Sequence, residues 1–225
     1  MLSGNAAENP ISAAAEIHAE IQAMQNPNTP NVRKIRKQYS DSLRDASSEF
    51  VLELAWELLD NYAERWVAYE LIAGHKGAYS KLNESLLEKF GQGIHSWDTV
   101  DSFARTLSGP AWRDGLVDDG LIERWAGSEN RWWRRAALVS TVALNVRSQG
   151  GHGDTERTLA FCRRLAGDPD DMVVKALSWA LRELVPHDPQ AVRDFLAEHD
   201  RVLARRVVRE VNNKLSTGLK NPGRL

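Results

Sequence analysis

At 225 residues the chain is long enough for one sizeable domain or two tightly packed ones. Its 42% hydrophobic and 27% charged residues are an ordinary globular mixture, which excludes a disordered chain. No stretch reaches the roughly 18–20 uncharged apolar residues that a membrane span needs. Met1–Glu8 lacks the basic start and apolar block of a signal peptide. A single cysteine, Cys162, cannot form an internal disulfide, so a reducing cytoplasm is the expected setting; a monomer is expected. The net charge of −2 argues against a blanket polyanion binder, but it hides an asymmetry. Residues 1–123 hold 11 Lys and Arg against 19 Asp and Glu, and residues 124–225 hold 18 against 12. The basic half is mostly arginine, which suits bidentate phosphate contacts.

In chain order, nearly every segment carries helical periodicity and none alternates as a strand does. Ile11–Met24 predicts a first helix, ended by the turn cluster Gln25–Pro30. Thr29 is the expected cap of the next helix and Pro30 its opening residue, leading into Val32-Arg33-Lys34-Ile35-Arg36. Phe50–Leu59, Arg65–Gly74, Leu82–Phe90 and Thr99–Leu107 read as short amphipathic helices. A break is expected at Gly109-Pro110. Beyond it come Leu121–Ala126, Arg131–Arg147, Thr155–Ala166, Met172–Val185, Ala191–Glu198 and Val202–Leu215. Gly150-Gly151, Gly167-Asp168-Pro169 and His187-Asp188-Pro189 are the stops, with Asp188 as a cap.

A weak repeat runs through this pattern. A cation followed by small or apolar residues recurs at Arg65, Arg135, Lys175 and Arg206, each in a helix preceded by a shorter helix and a polar turn. Such spacing predicts an all-α, HEAT-like solenoid in which neighbouring helix pairs share a core. The expected organisation is an N-terminal helix and linker (1–30), a repeat domain (31–217) and a tail (218–225). If the recurring cations line the concave face, that face is a trough for phosphates. The alternative, favoured on spacing alone, is that these cations cap or ion-pair with neighbouring turns.

Three segments stand out for chemistry. Trp97 and Asp101 lie four residues apart, so one helix face presents both; the alternative is structural, with Asp98 or Thr99 as a cap and Trp97 as a packing staple. Arg135, beside Trp132-Trp133-Arg134, needs a carboxylate if it is buried, and Asp101 is a suitable one. Trp179 lies among Val174, Leu177, Ala180 and Leu181, where it is either a site residue or core. The six histidines show no metal-ligand spacing, and no phosphate-binding glycine loop occurs. Gly150-Gly151-His152-Gly153 reads as a helix break, and Cys162 as packing.

Ser96-Trp97-Asp98-Thr99-Val100-Asp101, Trp125-Ala126-Gly127-Ser128 with Trp132-Trp133-Arg134-Arg135-Ala136-Ala137, and Lys175–Glu183 together resemble the bacterial DNA alkylation repair (AlkD-type) alkylpurine DNA glycosylases. The resemblance runs in order from about Val32 to Leu215. It implies a HEAT-like fold whose concave face grips duplex DNA, and excision of positively charged N3- and N7-alkylated purines without metal or cofactor. By position, Asp101 matches the catalytic carboxylate, Trp97 and Trp179 the two active-site indoles, and Arg135 the arginine near the lesion-bearing backbone. Arg33, Lys34, Arg134, Lys175 and Arg206 are the expected DNA contacts. One segment departs from the family: no aromatic, basic, Gly-containing stretch separates the first two helices, since Met24 passes through Gln25–Pro30 into Val32-Arg33-Lys34. A DNA-binding protein for distorted or branched duplexes, without catalysis, is the alternative that this departure raises. A protein-binding solenoid is a third, suggested by the acidic first half.

Overall fold

The computed structural model describes residues 9–26 and 28–222. The signal-peptide reading at Met1–Glu8, Pro27 of the turn cluster and the last three residues of the expected tail lie outside that range. Among the described residues the chain is helical throughout, with no strand. No described helix is long and apolar enough to cross a membrane. The chain divides into two compact units, Met1–Gln92 and Gly93–Leu225.

The N-terminal unit holds α1 (Pro10–Gln22), α2 (Thr29–Ser42), α3 (Ser48–Asp60), α4 (Arg65–Gly74), α5 (Lys76–Ser80) and α6 (Glu84–Gly91). Helix α1 packs on α2 and α3, and α4 on α2, α3 and α5. Ala13, Ala14 and Ile17 meet the unit's core with Val51, Leu54, Leu58, Ala68 and Ile72, all fully buried. Short caps start these helices. The Asn9, Ser47 and Asn83 side chains accept from backbone N–H groups two or three residues on, filling donors that a helix start leaves open. The expected cap of α2 shifts by one residue: Asn28, not Thr29, accepts from Asn31 N at 3.0 Å. Asn28 holds the extended backbone a cap requires (φ −76°, ψ 160°), and Thr29 is already in the helix.

The C-terminal unit holds α7 (Trp97–Phe103), α8 (Gly109–Arg113), α9 (Asp119–Ala126), α10 (Arg131–Asn145), α11 (Thr155–Arg164), α12 (Asp171–Leu184), α13 (Pro189–Glu198) and α14 (Arg205–Thr217). Helices α10, α12 and α14 pack in succession, α11 packs on α9, α10 and α12, and α13 on α12. This succession is consistent with a helical-repeat solenoid. Helix α10 is buried on every side from Arg135 to Asn145, as its apolar run with small residues (Ala136, Ala137, Ser140, Ala143) demands. Its C-terminal carbonyls are closed by the glycine loop: Gly151 N donates to Val146 O, and His152 N and Gly153 N to Leu144 O. That loop is therefore a helix stop, with Gly150 and Gly153 at φ +90° and +92°.

The break expected at Gly109-Pro110 does not occur. Helix α7 runs directly into a π-helical turn, Ala104–Ser108, and then into α8. Pro110 has no N–H to give, but a widened turn ahead of it and its place in the first turn of α8 absorb the loss. Gly109 instead serves close approach. A Cβ there would lie 2.7 Å from Ser140 O and 2.8 Å from the Ala143 Cβ, both on α10. The Ser108 and Ser140 hydroxyls meet at 2.8 Å inside this contact.

Candidate functional site

Ser96 holds the cap position of helix α7, and Thr99, one of the two expected cap residues, closes the capping box from the third helical position. Thr99 Oγ1 accepts from Ser96 N at 3.2 Å, and the Ser96 and Thr99 hydroxyls lie 2.9 Å apart. Val100 and Phe103 anchor the helix in the core. Phe103 meets Trp125 and Trp133, with ring centroids 5.8 and 6.0 Å away, and those two indoles lie 4.8 Å apart. The aromatic cluster fixes α7 against α9 and α10. Trp97 and Asp101 are left on the remaining face.

Asp101 meets Arg135 there. Arg135 Nε donates to Asp101 Oδ1 at 2.9 Å and Nη2 to Oδ2 at 2.8 Å. The third arm, Nη1, donates to the Met172 carbonyl in the first turn of α12. One guanidinium thus ties α7, α10 and α12 together, with its side chain 6% exposed and that of Asp101 16%. Burial pushes the Asp101 carboxyl above its ordinary range; the Arg135 guanidinium, then Arg105, pull it back down, and Asp98 adds to the rise. Two-point pairing of this kind holds a carboxylate in one orientation.

Beside this pair opens a cleft of about 510 Å³. Trp97 and Arg135 line it from α7 and α10, and Met172, Lys175, Trp179 and Arg182 from α12. Helix α14 adds Arg206, Arg209 and Glu210, and the following segment adds Lys220 and Asn221. Lys175 Nζ and Arg206 Nη1 each lie 2.7 Å from an oxygen of the exposed Asp171, which holds that carboxyl below its ordinary value, Lys175 being the larger cause. Glu210 is buried, accepting from Ser178 Oγ at 2.7 Å with Lys220 Nζ at 3.5 Å. Burial lowers the Arg182 pKa, and the neighbouring Glu210 and Glu183 oppose the fall.

Five of the nine residues singled out in the sequence thus line one cleft of the C-terminal unit, Trp97, Arg135, Lys175, Trp179 and Arg206, and Asp101 is tied to it through Arg135. Arg134, next to Arg135, faces elsewhere. It holds Asp168 through Nε and Nη2 at 2.6 and 3.3 Å, and donates from Nη1 to the carbonyls of Ser128 and Glu129. Arg33 and Lys34 lie on α2 of the N-terminal unit, Lys34 exposed and Arg33 stacked over Trp66 with Glu70 at 3.8 Å. Sequence reasoning missed Arg105, Arg182 and Arg209. The signal was present, because Arg105 follows Asp101 by four, Arg182 follows Trp179 by three, and Arg209 follows Arg206 by three. Arg105 stacks on the Trp179 ring, its Cζ 5.4 Å from the centroid.

The arrangement offers a carboxylate fixed by an arginine that lines a cationic, indole-bearing cleft. Among the described residues no group of three His, Cys, Asp or Glu side chains is placed to hold a metal ion. No curated protein matches the chain. A family model described as DNA alkylation repair enzyme matches residues 2–215, through both units, so the chain belongs to that family and acts in the repair of alkylated DNA.

Proposed function

We propose that the protein is a DNA glycosylase that excises positively charged N3- and N7-alkylated purines from duplex DNA. The observation that carries the reading is the Asp101–Arg135 pair, whose arginine lines a cleft that also holds two indoles and several further cations. Alkylation at N3 or N7 makes the purine a cation, which weakens its glycosidic bond and lets the base leave neutral. No general acid is needed. What remains is to stabilise the oxocarbenium-like sugar and to hold a water, and an ionised, oriented carboxylate does both. The Asp101 oxygens each accept once from Arg135 and retain lone-pair capacity towards the sugar or a water. Trp97 and Trp179 wall the nucleotide, and Lys175 and Arg206 take phosphates on the flanking strand. Arg135 positions the carboxylate, and its remaining N–H groups are available to the lesion-bearing backbone.

A second reading is a DNA-binding protein without excision. The same clamp favours it, because Arg135 neutralises much of the charge that Asp101 would offer to a cationic sugar. Release of 7-methylguanine from methylated duplex DNA separates the two. Wild-type release, with a fall of about 10²–10³ in Asp101→Asn at unchanged DNA binding, is the expected result. Binding without release by the wild type establishes the second reading.

A further inference from the structure

The two indoles of the cleft are held in unlike ways. Trp179 is fixed on two sides: the Arg105 guanidinium lies over its ring at 5.4 Å, and its Nε1 donates to Glu183 Oε1 at 3.0 Å. The Arg105 Nε is buried with no hydrogen-bond partner, so the stack on Trp179 and the charge of the nearby Asp101 are what hold that side chain. Trp97 is 59% exposed, and among the described residues its ring carries neither a hydrogen bond nor a stacked cation.

An indole face attracts a cation through the negative potential of its ring. A guanidinium on one face of Trp179 already draws on that potential, and its own charge repels a second cation approaching the opposite face. The Trp97 ring is free of both effects. We infer that Arg105 divides the work of the two indoles: by stacking on Trp179 it makes that ring a charge-blind wall, and it leaves discrimination of the cationic nucleoside to Trp97. Arg105 is on this account a positioning and specificity-determining residue, and the inference rests on the glycosylase reading of the cleft.

The test uses two non-cleavable lesions in otherwise identical duplexes, so that it reads binding and not turnover. One carries 2′-fluoro-7-methylguanosine, which is cationic; the other carries 7-methyl-7-deazaguanine, its neutral isostere. The readout is the ratio of the two dissociation constants. The wild type is expected to prefer the cation, and Trp97→Leu to lose roughly 2- to 5-fold of that preference. Trp179→Leu is expected to weaken both duplexes equally; should it fail to fold, Trp179→Phe serves, since it keeps a ring. Arg105→Met, which frees a ring face and removes a charge, is expected to raise the preference, and Arg105→Lys to leave it as in the wild type. Preference unchanged by Trp97→Leu, or lost through Trp179→Leu, overturns the inference, as does an Arg105→Met protein that discriminates no better. A wild type that shows the ratio pattern and yet releases no 7-methylguanine overturns the glycosylase reading and leaves the division of labour standing.

Discussion

Each unit builds a groove around tryptophan, and the two carry opposite charge. In the N-terminal unit Trp56 lines a groove of about 640 Å³ with Leu52, Leu86 and Phe90, walled by Glu49, Glu53 and Glu57. In the C-terminal unit Trp97 and Trp179 share their cleft with Lys175, Arg182, Arg206 and Arg209. Even the stacked cations differ in consequence. Lys89 lies over Trp56 at 4.1 Å within an acidic wall, whereas Arg105 lies over Trp179 beside the carboxylate Asp101. An indole lining a groove therefore says little about a partner. The sign of the surrounding charge says more, and a cationic groove is the one whose field suits a polyanion.

The largest expected effect breaks this comparison outright if it fails. Asp101→Asn should lower 7-methylguanine release by about 10²–10³, while Glu53→Gln, an acidic residue beside the other tryptophan, should leave release and DNA affinity unchanged. Equal losses in both variants would mean that acidity near an indole, and not the Arg135 clamp, is what matters. Next is the scaffold under the cationic cleft. Gly109→Ala drives a methyl against Ser140 O and Ala143 Cβ of α10, and overpacking of this kind costs about 1–3 kcal/mol. A fall in melting temperature is the measurement. Smaller still is the phosphate contribution: Arg206→Ala with Arg209→Ala should weaken duplex binding and reduce its salt dependence by a slope of about 2. Glu49→Gln should leave that slope alone.

Most of the all-helical fold was legible because apolar residues recur at helical spacing and the stops are explicit. Asp188 accepts from Ala191 N at 3.0 Å, as its place before Pro189 suggests, and α4 spans Arg65–Gly74 as the periodicity predicts. The failures have local causes. Gly109-Pro110 carries the signature of a break, yet the pair continues the helix, because a π turn precedes it and a neighbouring helix requires the missing Cβ. Helix α5 went unread because Lys76–Ser80 is one short turn, started by His75 Nδ1 accepting from Ala78 N. At the cleft, the pairing of Asp101 with Arg135 follows from the demand of a buried guanidinium for a carboxylate. The difference between Arg134 and Arg135 does not follow from any sequence signal. Adjacent residues on a helix point about 100° apart, so one reaches α7 and the other Asp168, and only the packing of α10 decides which.

The last prediction concerns pH and sharpens the contrast between a site carboxylate and an exposed one. Asp171, exposed and held by Lys175 and Arg206, has its carboxyl lowered; Asp101 is raised by burial, with Arg135 and Arg105 opposing. If ionised Asp101 is the working group, the acid limb of the release profile lies above the ordinary aspartate range. Arg105→Gln removes one opposing charge and should move the limb to higher pH; Arg135→Gln removes the larger one and should move it further. Stability runs the other way. A carboxyl raised in the folded state binds its proton more tightly there than in the unfolded chain, so its contribution is greatest at low pH and is lost as pH rises from the ordinary to the raised value. Across that window, lowering the pH should extinguish release while Asp101 itself adds to stability. Release profiles recorded beside melting temperatures check this. A limb at or below the ordinary aspartate range, or one that ignores both arginine substitutions, would remove Asp101 from the chemical step.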